Sequence, residues 1–268
     1  MHGTYTHASL TRSYALFQPS MTGRRAPRAL VVMLHGCTQD AADMARGTRM
    51  NEAAERDGFV VLYPEQPATA HPQKCWNWYL PEQNGRDAGE VALIAALADS
   101  IARAHGIDAV HIALVGMSAG AAMAANLVVA YPERFGALAM HSGIAAGAAT
   151  DVAGALRAMR QGDADGDALG AAAFTSMGSR ARAIPVLVMH GADDRVVSPA
   201  NLHAAVRQWT VVRERTGNAA PIEEHLFTNV GHAWSGGAAE GSYTAPAGPS
   251  ATDLIVAFLS RAGVLPAR

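Results

Sequence analysis

Residues 111–120 read His-Ile-Ala-Leu-Val-Gly-Met-Ser-Ala-Gly, an apolar run that ends in Gly-x-Ser-x-Gly and leads into a stretch of small residues. The pattern predicts a strand that turns sharply into a helix, with Ser118 at the turn. Glycines on both sides relieve the crowding that any Cβ would cause, and the helix N-terminus favours developing negative charge. An ordinary Gly/Ala-rich turn is the alternative, but the flanking strand and helix favour a nucleophilic Ser118.

Short aliphatic runs and longer Ala-rich amphipathic stretches alternate on both sides of this motif. The alternation predicts an α/β fold, with a mostly parallel central sheet and helices on both faces. The strands are predicted at 30–34, 60–63, 110–115, 137–141, 186–190 and 223–227, with an antiparallel edge strand at 14–17. The helices are predicted at 41–56, 89–104, 119–130, 202–215 and 252–262. We expect a single domain over 1–268, in which the Ala- and Gly-rich interval 143–182 forms a cap or insertion over the sheet edge.

The composition limits the function classes that fit. Half of the 268 residues are apolar and 16% are charged, which is typical of a globular protein with a large core. A formal net charge of -2 supplies no basic surface for nucleic acid. No apolar run approaches the roughly 20 residues that cross a bilayer. We therefore expect no nucleic-acid or membrane partner, and the oligomeric state stays open.

A serine hydroxyl needs a base to take its proton and a third group to hold that base in the right tautomer. Asp194 follows the predicted strand at 186–190, and His232 follows the last predicted strand. The order Ser, Asp, His is the one expected of α/β-hydrolases, so we expect the α/β-hydrolase fold. Asp193 is a chemically equivalent rival, but the His-Gly-x-x-Asp-x-x-Val spacing of this fold ends on Asp194.

Three other histidines, His35, His141 and His190, also end predicted strands. None of them follows the final strand, where the base of this fold sits. We expect them to hydrogen-bond backbone groups and fix loops.

Ester cleavage places negative charge on the carbonyl oxygen, which needs two well-placed donors. We expect one to be the amide of Ala119, the residue after the nucleophile, and the other to be the amide of Cys37, in the loop after the strand at 30–34. A plain tight turn is the alternative for that loop. A thiol nucleophile at Cys37 is discounted because the serine motif is complete.

Cys37 and Cys75 are expected to pair and to close a loop beside the catalytic pocket. In the loop-entropy model such a bridge contributes about 4 kcal/mol. Free thiols are the alternative, favoured in a cytoplasmic protein.

Four aromatic residues cluster near these motifs: Trp76, Trp78, Tyr79 and Trp234. Rigid apolar surface beside a nucleophile suits the walls of a substrate pocket, and burial in the core is the equally weighted alternative.

An acidic stretch, Asp163-Ala164-Asp165-Gly166-Asp167, has the look of a calcium loop but lacks the terminal Glu at the required spacing. A solvated acidic loop is the better interpretation. The histidines form no zinc pattern, so we expect no metal and no cofactor.

The chain resembles the esterase family of poly(3-hydroxybutyrate) depolymerases, related to feruloyl and acetylxylan esterases. The resemblance spans most of the chain and is carried by the strings at 34–39, 75–78, 116–120, 231–237 and 241–244. It implies the Ser118, Asp194 and His232 triad, an oxyanion donor at Cys37, and a serine carboxylic ester hydrolase. It also implies hydroxyalkanoate polyesters or oligomers as substrates, with feruloyl or acetylxylan esters as the alternative.

The resemblance implies a family whose members are often secreted, so an extracellular or periplasmic location is expected. The polar start of the sequence shows no hydrophobic signal core, and a cytoplasmic location stays open. Without an appended polymer-binding domain, we expect soluble oligomers and small esters to be better substrates than crystalline polymer. Two rivals remain at this point: a peptidase or other acyl transferase, and a ligand-binding protein on a hydrolase scaffold.

Overall fold

The computed structural model describes residues 1–20, 28–162 and 164–265. Within them the strands are β1 (His2–His7), β2 (Leu10–Phe17), β3 (Leu30–Leu34), β4 (Val60–Pro64), β5 (Ile112–Met117), β6 (Ala137–His141), β7 (Val186–Gly191), β8 (Ile222–Phe227), β9 (Trp234–Ser235) and β10 (Thr244–Ala245). The α-helices are α1 (Ala41–Thr48), α2 (Met50–Asp57), α3 (Pro81–Asn84), α4 (Gly89–His105), α5 (Ala119–Ala130), α6 (Val152–Gln161), α7 (Gly166–Met177), α8 (Ala200–Thr216) and α9 (Ala251–Arg261).

The main sheet has the strand order β1-β2-β4-β3-β5-β6-β7-β8. β1 and β2 are antiparallel to their neighbours, and every pairing from β4 to β8 is parallel. A separate parallel pair joins β9 to β10. The α/β fold predicted from the alternating pattern is therefore confirmed.

Side chains of the central strands alternate between the two faces of the sheet. In β3, Leu30, Val32 and Leu34 join a core with α4, α5 and α8, whereas Val31 and Met33 join a second core with α1, α2 and α9. Because helices cover both faces, the strands from β3 to β7 are buried on both sides and read as continuous apolar runs.

The structure departs from the prediction at Arg49 and at one edge of the sheet, where β1 lies outside the antiparallel strand predicted at 14–17 as the edge. The helix predicted at 41–56 is two helices, because Arg49 between them adopts a left-handed conformation with φ 56°. β1 was not predicted, because its residues are polar and at most half-buried and pair with β2 at the edge of the sheet.

The turn from β5 into α5 places Ser118 in a strained backbone conformation, with φ 54° and ψ -122°. A Cβ on Gly116 would overlap the backbone carbonyl of Gly120, and a Cβ on Gly120 would overlap the carbonyl of Leu34. Glycine is needed at both positions because backbone comes too close for any side chain.

The interval predicted as an insertion contains α6 and α7. α7 packs on α8 and α5, so it is tied to the core. α6 presents Val152, Ala155, Leu156 and Met159 to a cavity that Ser118 also lines. These residues are spaced i, i+3, i+4 and i+7, so they lie on one face of the helix.

None of the helices in the described parts of the chain combines the length and the apolar character that a membrane span requires.

Gly120→Ala is expected to destabilise the protein by about 2 kcal/mol or more, because its Cβ meets backbone atoms that cannot move away without disturbing β3. Gly85→Ala is the matched control, since its Cβ would lie 3.8 Å from Ala88 Cβ, an ordinary contact. The measurement is the free energy of unfolding in urea. Equal stabilities for the two variants would contradict the explanation of the turn.

Candidate active site

Three strand ends meet at the carboxyl edge of the sheet. Ser118 follows β5, Asp194 follows β7 and His232 follows β8. His232 Nε2 lies 3.0 Å from Ser118 Oγ, and His232 Nδ1 lies 2.7 Å from Asp194 Oδ2. The three side chains therefore form an unbroken hydrogen-bond chain from a hydroxyl to a carboxylate.

Asp194 is held in a fixed orientation by backbone amides. Its Oδ1 accepts hydrogen bonds from the amides of Val196 and Val197, both at 2.9 Å. Burial alone would raise the pKa of Asp194, but hydrogen bonds from His190 and His232 outweigh it, so the pKa lies below its usual value. Asp194 is therefore an ionised carboxylate throughout the neutral range. Asp193, the sequence rival, has an exposed side chain.

The ionised Asp194 determines the tautomer of His232. Because a carboxylate only accepts hydrogen bonds, His232 Nδ1 carries the proton and donates it to Asp194. Nε2 is then the unprotonated nitrogen, which accepts the hydrogen bond of the Ser118 hydroxyl. This arrangement suits proton removal from the serine.

His35 and His141 hold backbone groups, in the manner expected from the sequence. His35 Nε2 accepts the amide of Gln66 at 3.1 Å, so its Nδ1 donates to the Gly36 carbonyl at 2.7 Å. His141 Nε2 accepts the amide of Ser235 at 3.3 Å. The carbonyl of His141 also accepts the amide of Ser118, at 2.9 Å, and so helps to hold the turn.

His190 has a contact that the sequence did not reveal. Its Nε2 lies 3.0 Å from the carbonyl of Val197 and 3.2 Å from Asp194 Oδ2. It is fully buried, so both contacts are shielded from water. Asp194 thus faces two imidazoles, and the His-Gly-x-x-Asp spacing was the only sequence signal for this second contact.

The loop after β3 lies against Ser118. A Cβ on Gly36 would be 3.4 Å from Ser118 Cβ, and Cys37 and Ala119 line the same cavity as Ser118. The loop is fixed at Gly36, whose amide donates to Gln39 Oε1 at 2.9 Å, and at Thr38, whose amide donates to the Gln73 carbonyl at 2.6 Å. No backbone carbonyl in the described residues accepts a hydrogen bond from the amide of Cys37 or of Ala119.

A second loop, at 241–244, braces the first one. Gln39 Nε2 donates to the Ser242 carbonyl and to Asp43 Oδ2, both at 3.2 Å, and Asp43 Oδ1 accepts the Ser242 amide at 3.0 Å. Tyr243 Oη lies 3.2 Å from Thr38 Oγ1, and its ring meets His232 edge-on. The string Gly-Ser-Tyr-Thr was the only sequence signal of this contact.

A disulfide joins Cys37 to Cys75, which are 38 positions apart. It ties the loop after β3 to the aromatic segment at 75–79. Since the Cys37 sulfur is bonded to Cys75, it is no thiol nucleophile in this structure.

A buried ionic network lies beneath the aromatic segment. The carboxylate of Glu90 pairs with Arg12 at 3.1 Å and accepts the amide of Asn77 at 2.8 Å. Gln66 bridges Arg12 Nε to Glu90 and donates to the Cys75 carbonyl at 3.0 Å. The network satisfies each buried charge and fixes the backbone on which Trp78 and Tyr79 stand.

Two cavities flank Ser118. The first, of about 200 Å³, is bounded by α6, the disulfide, Trp78 and Tyr79. The second, of about 220 Å³, is bounded by the loop after β3, by Tyr243 of the loop at 241–244 and by His232. Ser118 and Cys37 border both, so the proposed nucleophile stands at their junction.

A sequence model of the family described as esterase PHB depolymerase matches residues 12–217 of this chain. The chain belongs to this family. Poly(3-hydroxyalkanoate) depolymerase C of Paucimonas lemoignei is 32% identical over 197 residues, which cover 73% of this chain and 47% of that protein. Feruloyl esterase B of Thermothelomyces thermophilus is 29% identical over 198 residues, which cover 68% of this chain and 65% of that protein. The chain thus spans about half of the depolymerase and slightly less than two thirds of the feruloyl esterase.

The fold of this member of the PHB depolymerase family is similar to that of several solved structures. An acetyl xylan esterase from Aspergillus awamori has a TM-score of 0.70 at 21% identity, covering 82% of this chain and 89% of its own. A ferulic acid esterase has a TM-score of 0.60 at 16% identity, covering 99% and 98%. The α/β-hydrolase fold expected from the sequence is confirmed.

The four aromatic candidates divide into two pairs. Trp78 and Tyr79 line the first cavity. Trp76 and Trp234 do not, because both are fully buried in the core, which is the other of the two interpretations that the sequence left open. Trp76 packs on His35, and Trp234 packs on His141 and donates its indole N–H to Thr252 Oγ1 at 3.0 Å.

The acidic stretch that resembled a calcium loop has structural partners. Asp165 caps the N-terminus of α7, and Asp167 pairs with Arg207. Asp163 lies outside the described residues. No group of three or more potential metal ligands occurs in the ranges that the structure describes.

We expect His141 to make the free energy of unfolding of this protein depend on pH. Burial, with contributions from His190 and His232, lowers the pKa of His141 to about 3 from its usual 6.5. Between these values the unfolded chain binds the proton more readily, so stability falls as the pH drops below 6.5, by up to about 1.4 kcal/mol per pH unit. His141→Gln should reduce this slope, measured by urea unfolding between pH 7 and pH 4. The matched control is His203→Gln, at an exposed position on α8, and it should keep the wild-type slope. An unchanged slope in His141→Gln would rule the explanation out.

Proposed function

We propose that the chain is a serine carboxylic ester hydrolase that works through an acyl-enzyme, with Ser118 as nucleophile, His232 as general base and Asp194 as the group that orients His232. The observation that carries the proposal is the unbroken hydrogen-bond chain from Ser118 Oγ through His232 to Asp194 Oδ2. The low pKa of Asp194 supports it, because an ionised carboxylate stabilises the imidazolium that forms during the reaction.

In the first step, Ser118 Oγ attacks the ester carbonyl while His232 Nε2 takes its proton. The carbonyl oxygen becomes an oxyanion, for which we propose the amides of Cys37 and Ala119 as donors. His232 then gives its proton to the alcohol oxygen as the bond between carbonyl carbon and alcohol breaks. Water, activated by His232, attacks the acyl-enzyme and releases the acid.

The two cavities receive the two halves of the ester. Because His232 protonates the leaving alcohol, the alcohol occupies the cavity that His232 borders. The acyl group then occupies the other cavity, between α6 and Tyr79. The insertion at 143–182 thereby acts, in this proposal, as a wall of the acyl pocket within a single catalytic domain.

We propose a short hydroxyalkanoate of the 3-hydroxybutyrate type, as an oligomer or polyester end, as the acyl part of the substrate. The acyl cavity of about 200 Å³ is small beside the 300–1,000 Å³ of typical ligand pockets. Its aliphatic wall from α6 suits a short branched chain. The family membership and the depolymerase relative support this choice. Feruloyl or acetylxylan ester cleavage is the second candidate, supported by the feruloyl esterase relative.

An extracellular or periplasmic location is proposed with this activity. The Cys37–Cys75 disulfide supports it, since disulfides persist in oxidising compartments.

The triad assignment predicts that a fluorophosphonate probe labels the wild-type chain stoichiometrically and that Ser118→Ala blocks labelling and turnover without unfolding the protein. Asp194→Asn should lower kcat about 10⁴-fold, because His232 loses the group that fixes its tautomer. Asp193→Asn, at the adjacent exposed carboxyl, is the matched control and should keep the wild-type kcat. No labelling of the folded wild type would favour the ligand-binding alternative, and faster cleavage of amides than of matched esters would favour a peptidase.

The substrate assignment predicts the order of initial rates on a panel of esters. We expect soluble 3-hydroxybutyrate oligomers and p-nitrophenyl butyrate to be hydrolysed faster than p-nitrophenyl octanoate, because the acyl cavity is short. Methyl ferulate and p-nitrophenyl acetate complete the panel, with Ser118→Ala as the control for background hydrolysis. A preference for ferulate or acetate would refute the hydroxyalkanoate assignment in favour of the cell-wall esterases.

A further inference from the structure

One wall of the proposed acyl cavity is polar. Among its mostly apolar lining residues, His71 and Tyr79 stand next to each other, with His71 Nε2 3.4 Å from Tyr79 Oη. Polar groups in an otherwise apolar pocket fix the orientation of a ligand that carries a matching group. The inference drawn below from this pair of residues rests on the proposed ester hydrolase function.

The tautomer of His71 follows from its backbone contacts. Its Nδ1 accepts the amides of Gln73 at 3.2 Å and Cys75 at 3.3 Å. A nitrogen that accepts hydrogen bonds carries no proton, so the proton of the neutral ring is on Nε2. His71 Nε2 therefore donates toward Tyr79 Oη.

The Tyr79 hydroxyl is left with a proton to donate. Since its oxygen accepts from His71, its O–H points elsewhere, and no acceptor for it occurs in the described parts of the chain. Burial and the nearby negative charge of Glu90 raise the pKa of Tyr79, so the hydroxyl stays protonated in the neutral range. The phenol is thus a hydrogen-bond donor that borders the cavity.

The ring of Tyr79 stands on a fixed segment. Trp78 packs against it edge-on, with ring centroids 5.5 Å apart. The Trp78 carbonyl accepts hydrogen bonds from Asn126 at 2.8 Å and from Asn84 at 2.5 Å. The donor is therefore preorganised before a substrate arrives.

We propose that the Tyr79 hydroxyl, oriented by His71, donates a hydrogen bond to an acceptor oxygen carried by the acyl group of the substrate, either a hydroxyl or the carbonyl of the next ester unit. An unsubstituted alkanoyl group would leave this hydroxyl without an acceptor in a mostly apolar pocket. Sites of this kind discriminate against analogues that lack the matching polar group. The pair thereby selects oxygen-bearing acyl groups over plain alkyl chains.

The test compares kcat/KM for p-nitrophenyl 3-hydroxybutyrate and 3-acetoxybutyrate with kcat/KM for p-nitrophenyl butyrate, which has the same chain without the oxygen. We expect Tyr79→Phe to lower kcat/KM for both oxygen-bearing esters about 5- to 10-fold and for butyrate less than 2-fold. His71→Asn keeps an acceptor for the two amides and removes the Nε2 donor, so it should lower the same preference by a smaller factor. Tyr243→Phe, which removes the hydroxyl that borders the other cavity, should leave the preference unchanged.

Two results would overturn the inference while leaving the hydrolase proposal intact. One is a kcat/KM in Tyr79→Phe that stays at the wild-type value for all three esters. The other is an equal fall for all three esters, which would mean that Tyr79 only supports the fold. Absence of Ser118-dependent turnover on all three esters, in the wild-type chain, would instead refute the hydrolase function on which the inference rests.

Discussion

The close approach of backbone at Gly120 to backbone at Leu34 and His35 is the constraint on which the rest of this structure depends. It brings the first turn of α5 against the carboxyl end of β3, so Ser118 and the loop at 36–39 are forced to be neighbours. The amides proposed as the oxyanion donors are then placed by chain connectivity, since each lies one residue from a glycine in that contact or in that loop. A single close contact between the first turn of α5 and the end of β3 thus establishes the geometry that the proposed nucleophile needs.

Elements that obey a simple periodicity could be predicted from the sequence, and elements that depend on long-range partners could not. β3 and β6 are buried on both faces and match the predicted bounds, because a continuous apolar run has one interpretation in a parallel sheet. β1 is polar and exists through its pairing with β2, which no local pattern reveals. The break at Arg49 was missed because amphipathic spacing continues across it.

The same division holds at the candidate site. Residues in the nucleophile motif and at strand ends could be identified because their chemistry and position are both local. The contacts that hold these residues in place could not be identified. The Glu90 network and the contact of Gln39 with Ser242 join residues that are distant in the sequence. The contacts of His190 with Asp194 and of Gln39 with Asp43 are local, but the sequence does not show which role these side chains play. Composition could not divide the four aromatics between the core and the pocket, since indole rings serve both equally well.

The walls of the proposed acyl cavity come from different parts of the fold. The side chains of α6 that face it come from outside the central sheet, whereas the proposed triad stands on the ends of three sheet strands. Substitutions on that helical face would alter the volume of the proposed acyl cavity, whereas the side chains of the proposed triad are positioned by the ends of β5, β7 and β8. If the proposed function holds, the fit of the acyl group and the reaction chemistry are set by different parts of the fold, the first by one helical face and the second by strand ends.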